Sequence, residues 1–138
     1  MSNKTVIENL IAIVRKQISI LEQYRGLAEE QIVNNDSTRG AVERFTYLMA
    51  QASIDLAEAL IAYKRLRKPM TLSEAFYVLD ENGLISKELS ERLVKMVGYR
   101  NVIAHDYVKV NYDIVYDVLT KRYIDIEEFI AVVEKLIL

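Results

Sequence analysis

No cysteine occurs among the 138 residues. Its absence excludes a disulfide framework and any thiolate metal site, and it suits a reducing compartment such as the cytoplasm. Histidine occurs once, as His105, so a zinc site built from several histidines of one chain is excluded too. Serine is present, but none sits in a recognisable nucleophile turn. Neither a metal nor a cofactor is expected. There is one proline and there are four glycines. So few breakers leave room for long helices and argue against a many-turned β fold. No apolar run approaches the roughly 20 residues that span a bilayer. The opening MSNKTVIENLIAIVRK lacks the layout of a secretion signal, so no membrane association is expected. The net charge is −2, and the basic excess common in nucleic-acid-binding domains is missing.

What is present is ordinary globular material, 51% hydrophobic and 28% charged. The length suits one domain, residues 1–138, with a core of its own. Apolar residues recur at helical spacing. Residues 4–24 carry Ile7, Leu10, Ile11, Val14, Ile18 and Leu21 on one stripe, and Thr5 with Glu8 reads as a capping box. Ile13 and Ile20 fall off that stripe, either as a broad core contact or as a dimer seam. A short helix is predicted within 26–35. Over 38–67, Val42, Phe45, Met49, Ala52, Leu56, Ala59, Tyr63 and Leu66 alternate steps of three and four, as in the central helix of a bundle. Asp55 lies beside this stripe, where a carboxylate at the core edge wants an arginine. Lys64, Arg65, Arg67 and Lys68 complement the dipole of the expected helix end, or offer phosphate contacts. Thr71 with Glu74 caps a helix to about 79, Ser86 caps one to about 103, and 112–138 is helical with a break expected near Arg122. The expected fold is all-α, an up-and-down bundle of four to five main helices.

Chemistry concentrates in Arg100-Asn101-Val102-Ile103-Ala104-His105-Asp106-Tyr107. Leu89, Leu93, Met96 and Val97 form the inward face of their helix, and Arg100 continues that face. An arginine there needs an anion. Asp55 or Asp106 meets it as a structural ion pair, or a substrate phosphate meets its planar fork of donors. His105 falls where the helix should end. It is either a helix-terminal cation or a proton-transfer group, since an ordinary histidine titrates near neutral pH. Such a cluster suits phosphoryl chemistry without a metal: a base for a ribose 2′-hydroxyl and a cation for the attacked phosphate.

Arg-x4-His-x-Tyr, with Asn101 directly after the arginine, resembles the signature of HEPN-domain ribonucleases, and the chain as a whole is similar to the HepT toxins. Ala41-Val42-Glu43-Arg44, Ile54-Asp55-Leu56-Ala57, Phe76-Tyr77-Val78-Leu79, Gly83-Leu84-Ile85-Ser86 and Val97-Gly98-Tyr99-Arg100-Asn101 carry the similarity. The resemblance implies a homodimer in which the motifs of two chains face each other across a cleft. It implies metal-independent RNA cleavage leaving a 2′,3′-cyclic phosphate, with Arg100 and His105 in the catalytic roles and Asn101 and Tyr107 supporting them. It also implies a minimal nucleotidyltransferase antitoxin that silences the toxin by moving AMP onto Tyr107. In a dimer, paired copies of Arg100, with Arg44 or the 64–68 cluster, would make a local basic cleft in an acidic protein. The other reading of the same resemblance is a non-catalytic subunit that binds a nucleotide or a nucleotidyltransferase partner.

Overall fold

The computed structural model describes residues 3–105 and 110–138. Seven α-helices follow one another among these residues, without a strand: α1 (Asn3–Arg25), α2 (Glu29–Val33), α3 (Asp36–Tyr63), α4 (Leu72–Glu81), α5 (Lys87–Ala104), α6 (Tyr112–Asp117) and α7 (Tyr123–Leu136). A π-helical turn, Val118–Arg122, joins α6 to α7. The expected all-α bundle is the observed one. None of the described helices is long and apolar enough to cross a membrane.

α3 is the central helix. It packs on α1, α4 and α5, and α5 packs in turn on α4 and α7. Val42, Met49, Ala52 and Leu56 of the expected stripe are buried, and Ala50, Ile54, Ala57 and Leu60 are buried beside them. A helix covered on so much of its circumference has neighbours on several sides. α1 contributes Ile7, Ile11, Val14, Ile18 and Leu21, the predicted stripe. Ile13 stays 46% exposed and Ile20 is half-buried, so the second face of α1 is not core within one chain. Across the bundle, Phe76 of α4 and Phe129 of α7 meet edge to face, with ring centroids 5.6 Å apart.

Several helix ends differ from the sequence-based expectation. α1 already includes Thr5, which therefore sits inside the helix instead of at its cap position. Asn35 caps α3, its Oδ1 accepting from the Thr38 amide at 3.0 Å. α3 stops at Tyr63, short of the expected 67. Leu66 N donates to Ile61 O at 3.0 Å and Arg65 N to Ala62 O at 3.2 Å, the two bonds of a Schellman closure. α4 closes in the same way, with Leu84 N on Leu79 O and Gly83 N on Asp80 O. The residue in the left-handed region is Gly83 (φ 70°) in α4 but Arg65 (φ 55°) in α3. A side chain there costs about 1 kcal/mol or more. Arg65→Gly is therefore expected to raise stability by about 1 kcal/mol, read as an upward shift of the denaturant midpoint.

The break expected near Arg122 is the π turn. Such a turn frees a carbonyl that an α-helix would use. Arg25, the last residue of α1, donates through Nε to Leu119 O at 3.2 Å and through Nη2 to Ile18 O at 2.8 Å. Its guanidinium carbon lies 3.7 Å from the centre of the Tyr123 ring. One arginine thus satisfies the widened turn and ties it to α1.

Candidate functional site at the end of α5

α5 is fixed along its length before it delivers any chemistry. Ser86 caps it, accepting from the Leu89 amide at 3.1 Å. Ser90 Oγ donates to Phe76 O of α4 at 3.2 Å. Arg92 holds Asp125 of α7 at 2.6 Å and Glu128 at 3.0 Å. Near the C-terminal end, the Tyr99 hydroxyl meets Thr46 Oγ1 of α3 at 2.7 Å, both residues buried. The Thr46 hydroxyl donates to Val42 O at 2.7 Å. Its one proton is thus used, and Tyr99 is the donor of the shared bond. Burial pushes the Tyr99 phenol well above its ordinary range, against a smaller opposite effect of the Thr46 bond.

Arg100 follows. Leu89, Leu93, Met96 and Val97 are buried as expected, and Arg100 is half-buried at the end of their face. Its Nε donates to Gln51 Oε1 at 2.6 Å, Nη1 to Asn101 Oδ1 at 3.1 Å, and Nη2 reaches the Tyr47 hydroxyl at 3.5 Å. The guanidinium carbon lies 5.5 Å from the centre of the Tyr47 ring. Gln51 Nε2 in turn donates to Asp55 Oδ1 at 2.9 Å. The expected partnership of Asp55 with an arginine is therefore indirect, through an amide. Asp106, the other candidate anion, lies outside the described residues.

His105 is the C-cap of α5, with φ −95° and ψ 1°, and it is exposed. Arg44, Glu43 and Tyr47 of α3 line a shallow cavity of about 360 Å³ with Ile103 and Ala104. Arg44 thus shares a surface with the end of α5, and Asn101 is exposed beside it. Tyr107 lies outside the described residues.

The cluster at 64–68 is placed elsewhere. Lys64, the C-cap of α3, is roughly 20 Å along the helix axis from Gln51, at the usual helical rise. Its ammonium sits 5.6 Å from the Tyr63 ring. Arg67 is taken up by carboxylates: Nε and Nη2 donate to both oxygens of Glu81 at 2.9 and 2.8 Å, and Nη1 donates to Glu74. Because α3 ends early, Arg65, Arg67 and Lys68 belong to the α3–α4 connection, not to a helix end beside Arg100. Within one chain, these four residues do not join Arg44, Arg100 and His105.

The Arg67 fork holds the Glu74 and Glu81 carboxyls below their usual range. A depressed folded-state pKa contributes stability that is present above the ordinary carboxylate pKa and lost as pH falls through the folded value. Arg67→Gln should therefore flatten the decline of thermal stability between about pH 5 and 2 while lowering the plateau slightly, as followed by thermal melts across pH.

Sequence reasoning missed Tyr47 and Gln51. The available signal was the spacing of Gln51 and Asp55, one helical turn apart, where an amide and a carboxylate pair readily. Among the described residues no cluster of acids and histidine could hold a metal ion.

The described residues thus form a helical bundle that carries Arg100, Asn101 and His105 at the end of one helix. The family model described as HepT-like, Ribonuclease HepT-like, matches residues 14–133. The chain belongs to this family. It is 33% identical over 129 residues to the mRNA nuclease HepT of Shewanella oneidensis, covering 94% of this chain and 96% of that protein. It is 22% identical over 102 residues to the tRNA nuclease HepT of Aphanizomenon flos-aquae, covering 74% and 69%. The structure superposes on the tri-AMPylated Shewanella oneidensis HEPN toxin in complex with MNT antitoxin with a TM-score of 0.87 at 32% identity, covering 98% and 99% of the two chains.

Proposed function

We propose that this chain is the toxin of a type II toxin–antitoxin pair, a cytoplasmic, metal-independent RNA endonuclease. The observation that carries the reading is Arg100 aimed by neutral groups near the C-terminal end of α5, with an exposed His105 at its C-cap. The names of the relatives, an mRNA nuclease and a tRNA nuclease, support the substrate class. His105 takes the proton of a ribose 2′-hydroxyl. The 2′-oxygen attacks the adjacent phosphorus and the bond to the 5′-oxygen breaks, leaving a 2′,3′-cyclic phosphate. The departing 5′-oxygen takes a proton and ends as a hydroxyl. Arg100 stabilises the charge that builds on the phosphate oxygens.

One chain holds one histidine, whereas acid and base work on the two oxygens suits two. We infer a homodimer in which the second copy supplies the other half of the cleft, with Asn101 and Arg44 at its walls. The tri-AMPylated state of the Shewanella toxin in complex with MNT antitoxin supports silencing by a nucleotidyltransferase that moves AMP onto Tyr107. Added bulk and negative charge at Tyr107 would oppose an RNA phosphate at Arg100.

The test uses purified protein with its intact mass checked for AMP. Unmodified protein is expected to cut RNA in EDTA, and protein treated with the antitoxin and ATP is expected to gain AMP mass and lose cutting. A strict need for a divalent metal would refute the mechanism. AMP addition that persists in Tyr107→Phe would refute the acceptor.

A further inference from the structure

Arg100 differs from Arg15, Arg67 and Arg92 in what holds it; like Arg25, which two carbonyls and the Tyr123 ring hold, it has neutral partners. Arg15 is bound by both oxygens of Glu134, Arg92 by Asp125 and Glu128, and Arg67 by Glu74 and Glu81. Each of those cations is neutralised locally. Around Arg100 stand an amide oxygen of Gln51, an amide oxygen of Asn101 and the Tyr47 hydroxyl. Among the described residues no carboxylate pairs with it.

The Gln51 bond is the shortest of the three at 2.6 Å. A glutamine amide has two unlike ends, and the wrong end would point N–H at N–H. Asp55 settles the choice. Its Oδ1 accepts from Gln51 Nε2 at 2.9 Å, so a flipped amide would face donor to donor at Arg100 and oxygen to oxygen at Asp55. The carboxylate is thereby kept one side chain away from the guanidinium, and its orienting effect reaches Arg100 through a neutral group. Direct contact would give a charge-assisted fork and compete with an incoming phosphate.

We propose that Gln51 is the positioning residue of the site: it aims Arg100 without neutralising it, and Asp55 locks the amide in the orientation that does so. This role rests on the ribonuclease reading above and names how its cation is kept available.

The experiment compares Gln51→Glu and Gln51→Met with wild type and Arg100→Ala, all as AMP-free full-length protein. Each is measured for cleavage of a mixed-sequence RNA oligonucleotide in EDTA and for thermal stability. Glutamate keeps the Arg100 bond but neutralises the cation. Methionine removes the bond and leaves the charge. The proposal expects Gln51→Glu to lose about 100-fold in kcat/KM, on the scale of one lost transition-state contact. Its melting temperature should stay within a few degrees of wild type, because the new carboxylate gains Arg100 but faces the Asp55 carboxylate across the lost amide bond. Gln51→Met should lose only about 10-fold, the scale of one positioning hydrogen bond, because Arg100 keeps its charge and its contacts with Asn101 and Tyr47. A purely structural Gln51 gives the opposite order of activity, with methionine cutting more slowly than glutamate, and that order would overturn the proposal. So would a Gln51→Glu variant that cuts at the wild-type rate while Arg100→Ala does not. Wild-type protein that leaves RNA intact overturns the ribonuclease reading itself, a result distinct from either.

Discussion

His105→Ala should cut RNA about 1000-fold more slowly than the unmodified wild-type protein, the middle of the range for loss of a positioned acid–base group. No second histidine in the chain can take over, and water is the remaining base. The side chain is exposed at the C-cap of α5, so the substitution empties no core and the melting temperature should stay within a few degrees. Product analysis on a defined oligonucleotide checks both the rate and the 2′,3′-cyclic end. Arg100→Lys is a demanding companion. A lysine keeps the charge but loses the planar fork that reaches Gln51, Asn101 and Tyr47 together. If Arg100 acts as a shaped cation, Arg100→Lys should fall close to Arg100→Ala in cleavage. Retention of most of the wild-type rate would show that charge alone suffices.

The largest effect on stability is expected far from this site. Phe76→Ala should cost about 3–5 kcal/mol. Phe76 is fully buried and packs edge to face on Phe129, which is also fully buried. The cavity left by alanine would lie between α4 and α7, and the Phe76 carbonyl still has to receive the Ser90 hydroxyl of α5. Denaturant unfolding measures the loss. The expected companion result is unchanged specific activity at low temperature, because the end of α5 is held independently by Thr46 and Tyr99. A drop of the same order in activity per folded molecule would mean that the two regions are coupled.

Much of this architecture can be read from apolar spacing. The α1 stripe, the central position of α3 and the inward face of α5 follow from residues three and four apart. The helix end at His105 was legible too, since the apolar face runs out there. Other features lie outside what spacing encodes. α3 ends at Tyr63 because the chain turns through a left-handed Arg65, a position where glycine would have been the signal. That early end separates Lys64, Arg65, Arg67 and Lys68 from the site. The π turn at Val118–Arg122 depends on Arg25, distant in sequence, taking the freed Leu119 carbonyl. Gln51 was easy to pass over for a chemical reason, although its spacing from Asp55 was a signal. Asp55 drew attention as a charge near the core, and the neutral residue that stands between it and Arg100 carries no such mark.

The Thr46–Tyr99 bond has a consequence for which tyrosine can be modified. The chain has nine tyrosines, and a transferase needs a phenol that it can reach and ionise. Tyr99 is close to Tyr107 in sequence, yet it is buried, its proton is committed to Thr46, and its phenol is held above the ordinary range. Tyr112, on the other side of Tyr107, is shifted the same way by burial and donates to Arg39 O at 3.4 Å. The flanking phenols are thus chemically quiet. Under the proposed acceptor role of Tyr107, the fold itself disfavours Tyr99 and Tyr112, while half-buried Tyr47 at the same end of α5 is left for the transferase to discriminate against.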